Sequence, residues 1–186
     1  IWIDHHKTAI EKYKDFPREI KGLRYDGVAG CILTWMYFNG YSEPGDEVER
    51  GVPTFTRYIG DYDIWEFKYG DDTRHFHMAF NAQNYTPTDE RMMGLLRFPI
   101  VKAMCADGAV MGQYKQSWSK NYCKVYGFEK DFEGYKAYVI NLGFAGSDSF
   151  IGVDVDKYDL LISCVYDGQK WKYSLRSEKI DVSEIA

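Results

Sequence analysis

Ile1-Trp2-Ile3 is an apolar run that stops at Asp4-His5-His6. The pattern predicts a short strand whose end delivers three polar side chains to the carboxyl edge of a sheet, where open α/β folds place their sites. Residues 7–24 are polar and rich in basic side chains, a solvated loop with at most a helical turn. From Tyr25 to Gly40 the chain is apolar on almost every side, which predicts a buried helix with Asp26 as its cap and Asn39-Gly40 as a left-handed stop. Pro44, Gly45, Gly51 and Pro53 mark a loop with a helical turn. Phe55 to Ile59 reads as a second apolar strand, running into Gly60-Asp61-Tyr62-Asp63. Residues 74–85 fit helix or strand equally well. Thr88 should cap a helix from Arg91 to Cys105, interrupted at Pro99, and Met111 to Tyr126 reads as an exposed connecting helix. Beyond Glu133-Gly134 the pattern changes and predicts strands at Tyr135–Asn141, Tyr158–Tyr166 and Lys170–Leu175. Asp167-Gly168 makes a hairpin of the last two, and Asp181 or Ser183 caps a closing turn.

Helical segments followed by strands predict an α/β protein of two lobes. Apolar residues are 45% of the 186 and aromatics 17%, too many for a disordered chain. With 23 basic against 28 acidic side chains the net charge is −5, so any contact with nucleic acid must be local. Mean hydropathy is −0.45 and no apolar run approaches the roughly 20 residues of a membrane span, which argues against a membrane partner. Cys31, Cys105, Cys123 and Cys164 lack the close spacing of zinc or redox motifs; reduced thiols in a cytoplasmic protein are the simplest reading.

Imidazole and carboxylate together suit Mn²⁺, Fe²⁺, Zn²⁺ or Co²⁺, although Asp4-His5-His6 taken alone is equally compatible with surface polarity. Its context gives it weight: a glycine-containing apolar helix follows, and a second apolar segment ends at Asp61 and Asp63. His75-Phe76-His77 has no accompanying carboxylates and reads as surface or pocket-lining polarity. The acids of 41–72 form a solvated face apart from Asp61 and Asp63. The lysines between 102 and 130 belong to an exposed helix that would also draw a polyanion.

Three segments together resemble the DHH phosphoesterase superfamily, and its oligoribonuclease-like members in particular. They are Ile3-Asp4-His5-His6-Lys7, the stretch Gly27-Val28-Ala29-Gly30-Cys31-Ile32-Leu33-Thr34-Trp35, and Tyr58-Ile59-Gly60-Asp61-Tyr62-Asp63-Ile64-Trp65. The resemblance implies a parallel-sheet DHH lobe over 1–104, a connecting helix over 105–130 and a smaller, incomplete α+β substrate-binding lobe over 131–186. It implies a hydrolase with two Mn²⁺ ions, with Mg²⁺ or Co²⁺ as substitutes, acting on short single-stranded RNA or DNA or on nucleotides. His5 and Asp63 would bind one ion, with Asp61 the second choice for the carboxylate. Asp4 would accept a bond that fixes an imidazole, and His6 would face the scissile phosphate as the catalytic group. The family's earlier metal motifs and its glycine-rich C-terminal motif would lie outside residues 1–186. The chain therefore reads as an internal fragment that holds metal poorly and is inactive by itself. Hydrolysis of polyphosphate is the alternative activity. A non-catalytic nucleotide-binding or interaction protein on a decayed DHH fold is the alternative of another class.

Overall fold

The computed structural model describes residues 1–143 and 145–185; Phe144 and Ala186, both inside the expected C-terminal lobe, lie outside it. The fold is mixed α/β. Its α-helices are α1 (Lys7–Lys12), α2 (Gly30–Phe38), α3 (Asp46–Gly51), α4 (Thr54–Asp63), α5 (Asp71–Ala82) and α6 (Phe98–Tyr126). Its strands are β1 (Gly127–Phe132), β2 (Tyr135–Ile140), β3 (Leu160–Tyr166) and β4 (Trp171–Arg176). The chain divides into two compact units, Ile1–Gly112 and Gln113–Ala186, with the division inside α6.

The first unit is helical, and here several expectations are corrected. Ile1-Trp2-Ile3 does not form a strand of a sheet. Its pairing is a single parallel bridge, Asp4 with Arg24, flanked by bonds from Trp2 N to Lys21 O (2.8 Å) and from Asp4 N to Leu23 O (3.1 Å). The segment Phe55–Ile59, expected as a strand, lies inside α4. Phe55, Tyr58 and Ile59 recur at helical spacing and meet a core of Phe76, Ala79, Leu95, Val101, Met104 and Cys105. Helix α2 begins at Gly30 with Ala29 in the capping position, so Asp26 is not the cap. Nor is α2 buried all round: only Leu33 and Met36 are fully covered, packed with Val48 and Val52. Asn39-Gly40 ends it as expected, Gly40 taking φ 79°. A 3₁₀ helix over Glu90–Leu96 is capped by Asp89 rather than Thr88. Pro99 opens α6 instead of breaking it, since the N–H that proline lacks would have no intrahelical acceptor in the first turn.

The second unit is a four-stranded sheet of order β1-β2-β3-β4, antiparallel except for the parallel pair β2–β3. Strand β1 occupies positions assigned from the sequence to a connecting segment. Ala137, Val139, Leu160, Ile162 and Cys164 form one core with Leu175 and Ile180. Cys123 of α6 joins Ile140 and Phe150 in another. Asp181 caps the closing 3₁₀ turn.

Candidate functional site

The amino-terminal segment is held by its own side chains. Gly22 takes φ 142°, and a side chain there would overlap the Trp2 carbonyl, so only glycine allows the chain to pass Trp2 this closely. Arg24 clamps the same place: its guanidinium lies 4.9 Å from the Trp2 ring centroid and donates to the carbonyls of Trp2 (3.2 Å) and Ile20 (3.1 Å). Trp2 in turn donates its indole N–H to Asp4 Oδ2 at 3.1 Å. The other oxygen, Asp4 Oδ1, accepts from the His6 backbone N–H at 3.0 Å and lies 2.8 Å from His6 Nδ1. These bonds favour the ionised carboxylate and hold its pKa far below the usual range, the His6 N–H contributing most, then the His6 ring, then the indole. With Nδ1 engaged by a carboxylate, the exposed His6 ring presents Nε2 outward.

His5 points the other way, into the first turn of α2. Its side chain is 18% exposed, and a Cβ on Gly30 would lie 3.8 Å from its Cδ2. His5 Nε2 stands 3.5 Å from Asp63 Oδ2 at the carboxyl end of α4. Two donors on one ion, each bonded at about 2.0–2.2 Å, are about 3–3.5 Å apart, so the pair has the spacing of neighbouring ligands. Helix ends, not the expected sheet edge, bring them together. The His5 and His6 rings lie 4.4 Å apart, centroid to centroid.

Asp61, the second choice for the carboxylate, is committed elsewhere. It is 4% exposed; Oδ1 accepts from Lys68 N at 2.9 Å, and Oδ2 from Tyr69 N at 3.3 Å and from the Thr73 hydroxyl. It ties the loop after α4 to the start of α5. Cys31, next to the pair in α2, donates to Thr56 O at 3.6 Å. Burial, and then the charge of Asp63, push its thiol up to about 11, so it offers no thiolate at neutral pH.

The residues present fit half a metal site. His5 and Asp63 supply two donors, and among the described residues no group of three or more His, Cys, Asp or Glu side chains gathers around one point. His75 and His77 lie in α5, where His77 stacks on Tyr62 with centroids 3.4 Å apart; they are not part of this group.

Trp2, Arg24 and Thr73 were not singled out from the sequence. Trp2 had a readable signal: residues i and i+2 of an extended segment share a face, which aims an indole donor at Asp4. Arg24 and Thr73 act across 22 and 12 residues respectively, and no local pattern marks them.

No protein-family model matches the chain, and no curated protein or solved structure matches it either. No helix among the described residues is long and apolar enough to cross a membrane.

Proposed function

We propose that residues 1–112 form the metal-binding part of a phosphoesterase acting on short oligonucleotides or nucleotides. The carrying observation is the 3.5 Å approach of His5 Nε2 to Asp63 Oδ2 beside a His6 that Asp4 holds in one orientation. In this reading the arrangement belongs to a DHH lobe, of whose parallel sheet residues 1–112 show only the Asp4–Arg24 bridge, with Gln113–Ala186 as the substrate-binding companion.

His5 and Asp63 would hold one divalent cation, Mn²⁺ before Mg²⁺ or Co²⁺, given a borderline nitrogen and a hard oxygen. Such an ion would supply Lewis-acid polarisation of a phosphoryl oxygen and neutralise charge on the phosphate. Its remaining donors, and those of a second ion, must come from water, substrate or groups outside the described residues. The protein's own contribution is orientation and proton handling. Asp4 pins His6 Nδ1, which leaves Nε2 turned outward as the nitrogen through which a proton would pass to or from a phosphate oxygen or leaving oxygen. Trp2 and Arg24 hold Asp4 in turn, and Ile3, packed on the core that Leu33 and Met36 of α2 help form, anchors the segment that carries His5.

The test is binding of a 5′-phosphorylated diadenylate to the 186-residue chain with and without Mn²⁺. Metal-dependent binding, lost in His5→Ala and Asp63→Asn, supports the reading. His6→Ala should retain the metal and weaken the nucleotide. Turnover by this chain should be slow or nil, because two donors hold a metal poorly. Binding that ignores the metal and both ligand substitutions would favour a non-catalytic nucleotide-binding protein. Binding of a polyphosphate in place of the diadenylate would favour polyphosphate as substrate.

A further inference from the structure

The chain leaves α4 in a way that exposes an indole. Ile64 caps the helix, the Trp65 N–H donates to Tyr62 O at 3.3 Å, and the Glu66 N–H reaches back to Asp61 O at 3.1 Å. This pair of bonds is the Schellman ending, in which the residue after the cap is left-handed and usually glycine. Here that residue is Trp65, at φ 63°, and Phe67 follows at φ 53°. A bulky residue at positive φ strains the backbone, and such strain persists only where the surroundings hold it. Burial offsets little of it: Trp65 is 64% exposed, the most exposed of the five tryptophans.

Neighbouring rings hold the indole instead. Tyr62 meets it at 76° with centroids 5.1 Å apart, and Phe67 at 68° and 4.7 Å. Both braces are fixed in turn. Tyr62 stacks on His77 of α5, and the Arg74 guanidinium lies 3.9 Å from the Phe67 centroid. A ring fixed by its neighbours yet mostly in water has surface left for a flat partner. Its place in the chain says which partner. Trp65 follows Asp63 by two residues, so their Cα atoms lie within about 7 Å of each other. Asp63 is the carboxylate that faces His5.

We infer that Trp65 is a platform on which a nucleobase of the substrate stacks while the adjoining phosphate meets His5, Asp63 and His6. The inference rests on the phosphoesterase reading for its phosphate, and it selects among the substrates of that reading. Nucleotides and oligonucleotides carry a base; polyphosphate does not. Every base has a π-face, so stacking holds a nucleotide with little regard to its sequence. Glycine would satisfy the left-handed backbone at position 65 without strain, but it has no ring to offer.

Protein-observed NMR of the full 186-residue chain tests it, with 5′-phosphorylated diadenylate and tripolyphosphate titrated separately in the presence of Mg²⁺, a diamagnetic ion. The diadenylate should shift the Trp65 indole N–H, and tripolyphosphate should not. Trp65→Ala should weaken diadenylate binding about tenfold and leave tripolyphosphate unchanged, whereas Trp65→Phe should stay within about threefold of the unsubstituted chain. Trp65→Gly should weaken the diadenylate as Trp65→Ala does and melt no lower than the unsubstituted chain, because it relieves the backbone. Adenosine without any metal should move the same indole signal at higher concentration. That shift, found together with no metal-dependent binding of the diadenylate, would count against the phosphoesterase reading and not against the platform. A Trp65 signal that answers tripolyphosphate as it does the diadenylate, or that ignores adenosine and diadenylate alike, would overturn the inference. So would undiminished diadenylate binding by folded Trp65→Ala, or a Trp65→Gly chain that melts well below the unsubstituted one.

Discussion

Thr73 donates its hydroxyl to Asp61, a bond buried on both sides, and that contact separates the roles of two carboxylates only two residues apart. Asp61 faces inward and closes a loop, whereas Asp63, 48% exposed at the side chain, faces His5. Asp61→Ala would leave the Lys68 and Tyr69 N–H groups and the Thr73 hydroxyl without their acceptor. At about 1–3 kcal/mol for each buried orphan, the loss should be about 3 kcal/mol or more. Asp63→Asn should change stability by less than about 0.5 kcal/mol while removing metal affinity. Urea unfolding of both variants checks this; equal destabilisation would show that the two carboxylates share one role.

A second prediction concerns the packing of α5 on α6. A side chain on Gly108 would overlap the His75 backbone carbonyl, whereas the nearest such atom to Gly112 is Met78 Sδ at 3.8 Å, an ordinary contact. Gly108→Ala should therefore destabilise by about 2–3 kcal/mol as the helices are forced apart. Gly112→Ala adds helix propensity at no steric cost and should be neutral or stabilising by up to about 1 kcal/mol. Thermal melts of the two variants give opposite signs if the packing is right.

A third prediction concerns acid stability of the β3–β4 hairpin. Asp167 Oδ1 accepts from the N–H groups of Lys170 (2.9 Å) and Gln169 (3.0 Å), and Oδ2 pairs with Lys172 Nζ at 2.9 Å. These lower its pKa below the ordinary 3.8, the Lys170 N–H contributing most, then Lys172. A carboxyl depressed on folding stabilises the folded state above its unfolded pKa, and the contribution is lost as pH falls through the lower folded value. The Asp167 carboxyl carbon should thus titrate below 3.8 by NMR. In Asp167→Ala, exchange of the backbone amide at position 167, which in the unsubstituted protein donates to Lys170 O at 3.0 Å, should quicken at pH 6 and lose this part of its acid dependence.

The strands from Tyr135 onward were legible because both faces of β2 and β3 meet a core, which leaves short apolar runs, and because Asp167-Gly168 announces a hairpin. Strand β1, Gly-Phe-Glu-Lys-Asp-Phe, was not: it is an edge strand with four exposed central residues, so no apolar face marks it. Phe55–Ile59 shows the opposite failure. Five residues are too few to separate period two from period 3.6, and the core around Phe76 decided for helix. In the candidate site, the pairing of His5 with Asp63 came from motif resemblance, since nothing in local periodicity links positions 58 residues apart. The commitment of Asp61 was hidden because its partner Thr73 lies on α5, where the pattern fitted helix or strand only from residue 74.

The account rests on His5 and Asp63 sharing one cation, and Mn²⁺ itself reports on that. Paramagnetic line broadening in NMR spectra of the 186-residue chain, recorded while Mn²⁺ is added in substoichiometric steps, locates the ion within the fold. The His5 ring and Asp63 signals should broaden first, with His6 and Gly30 next and Asp61 later, and the pattern should vanish in His5→Ala and Asp63→Asn while surviving in His6→Ala. Broadening centred elsewhere, such as on the acids of α3, or broadening at His5 that persists in Asp63→Asn, would contradict the account.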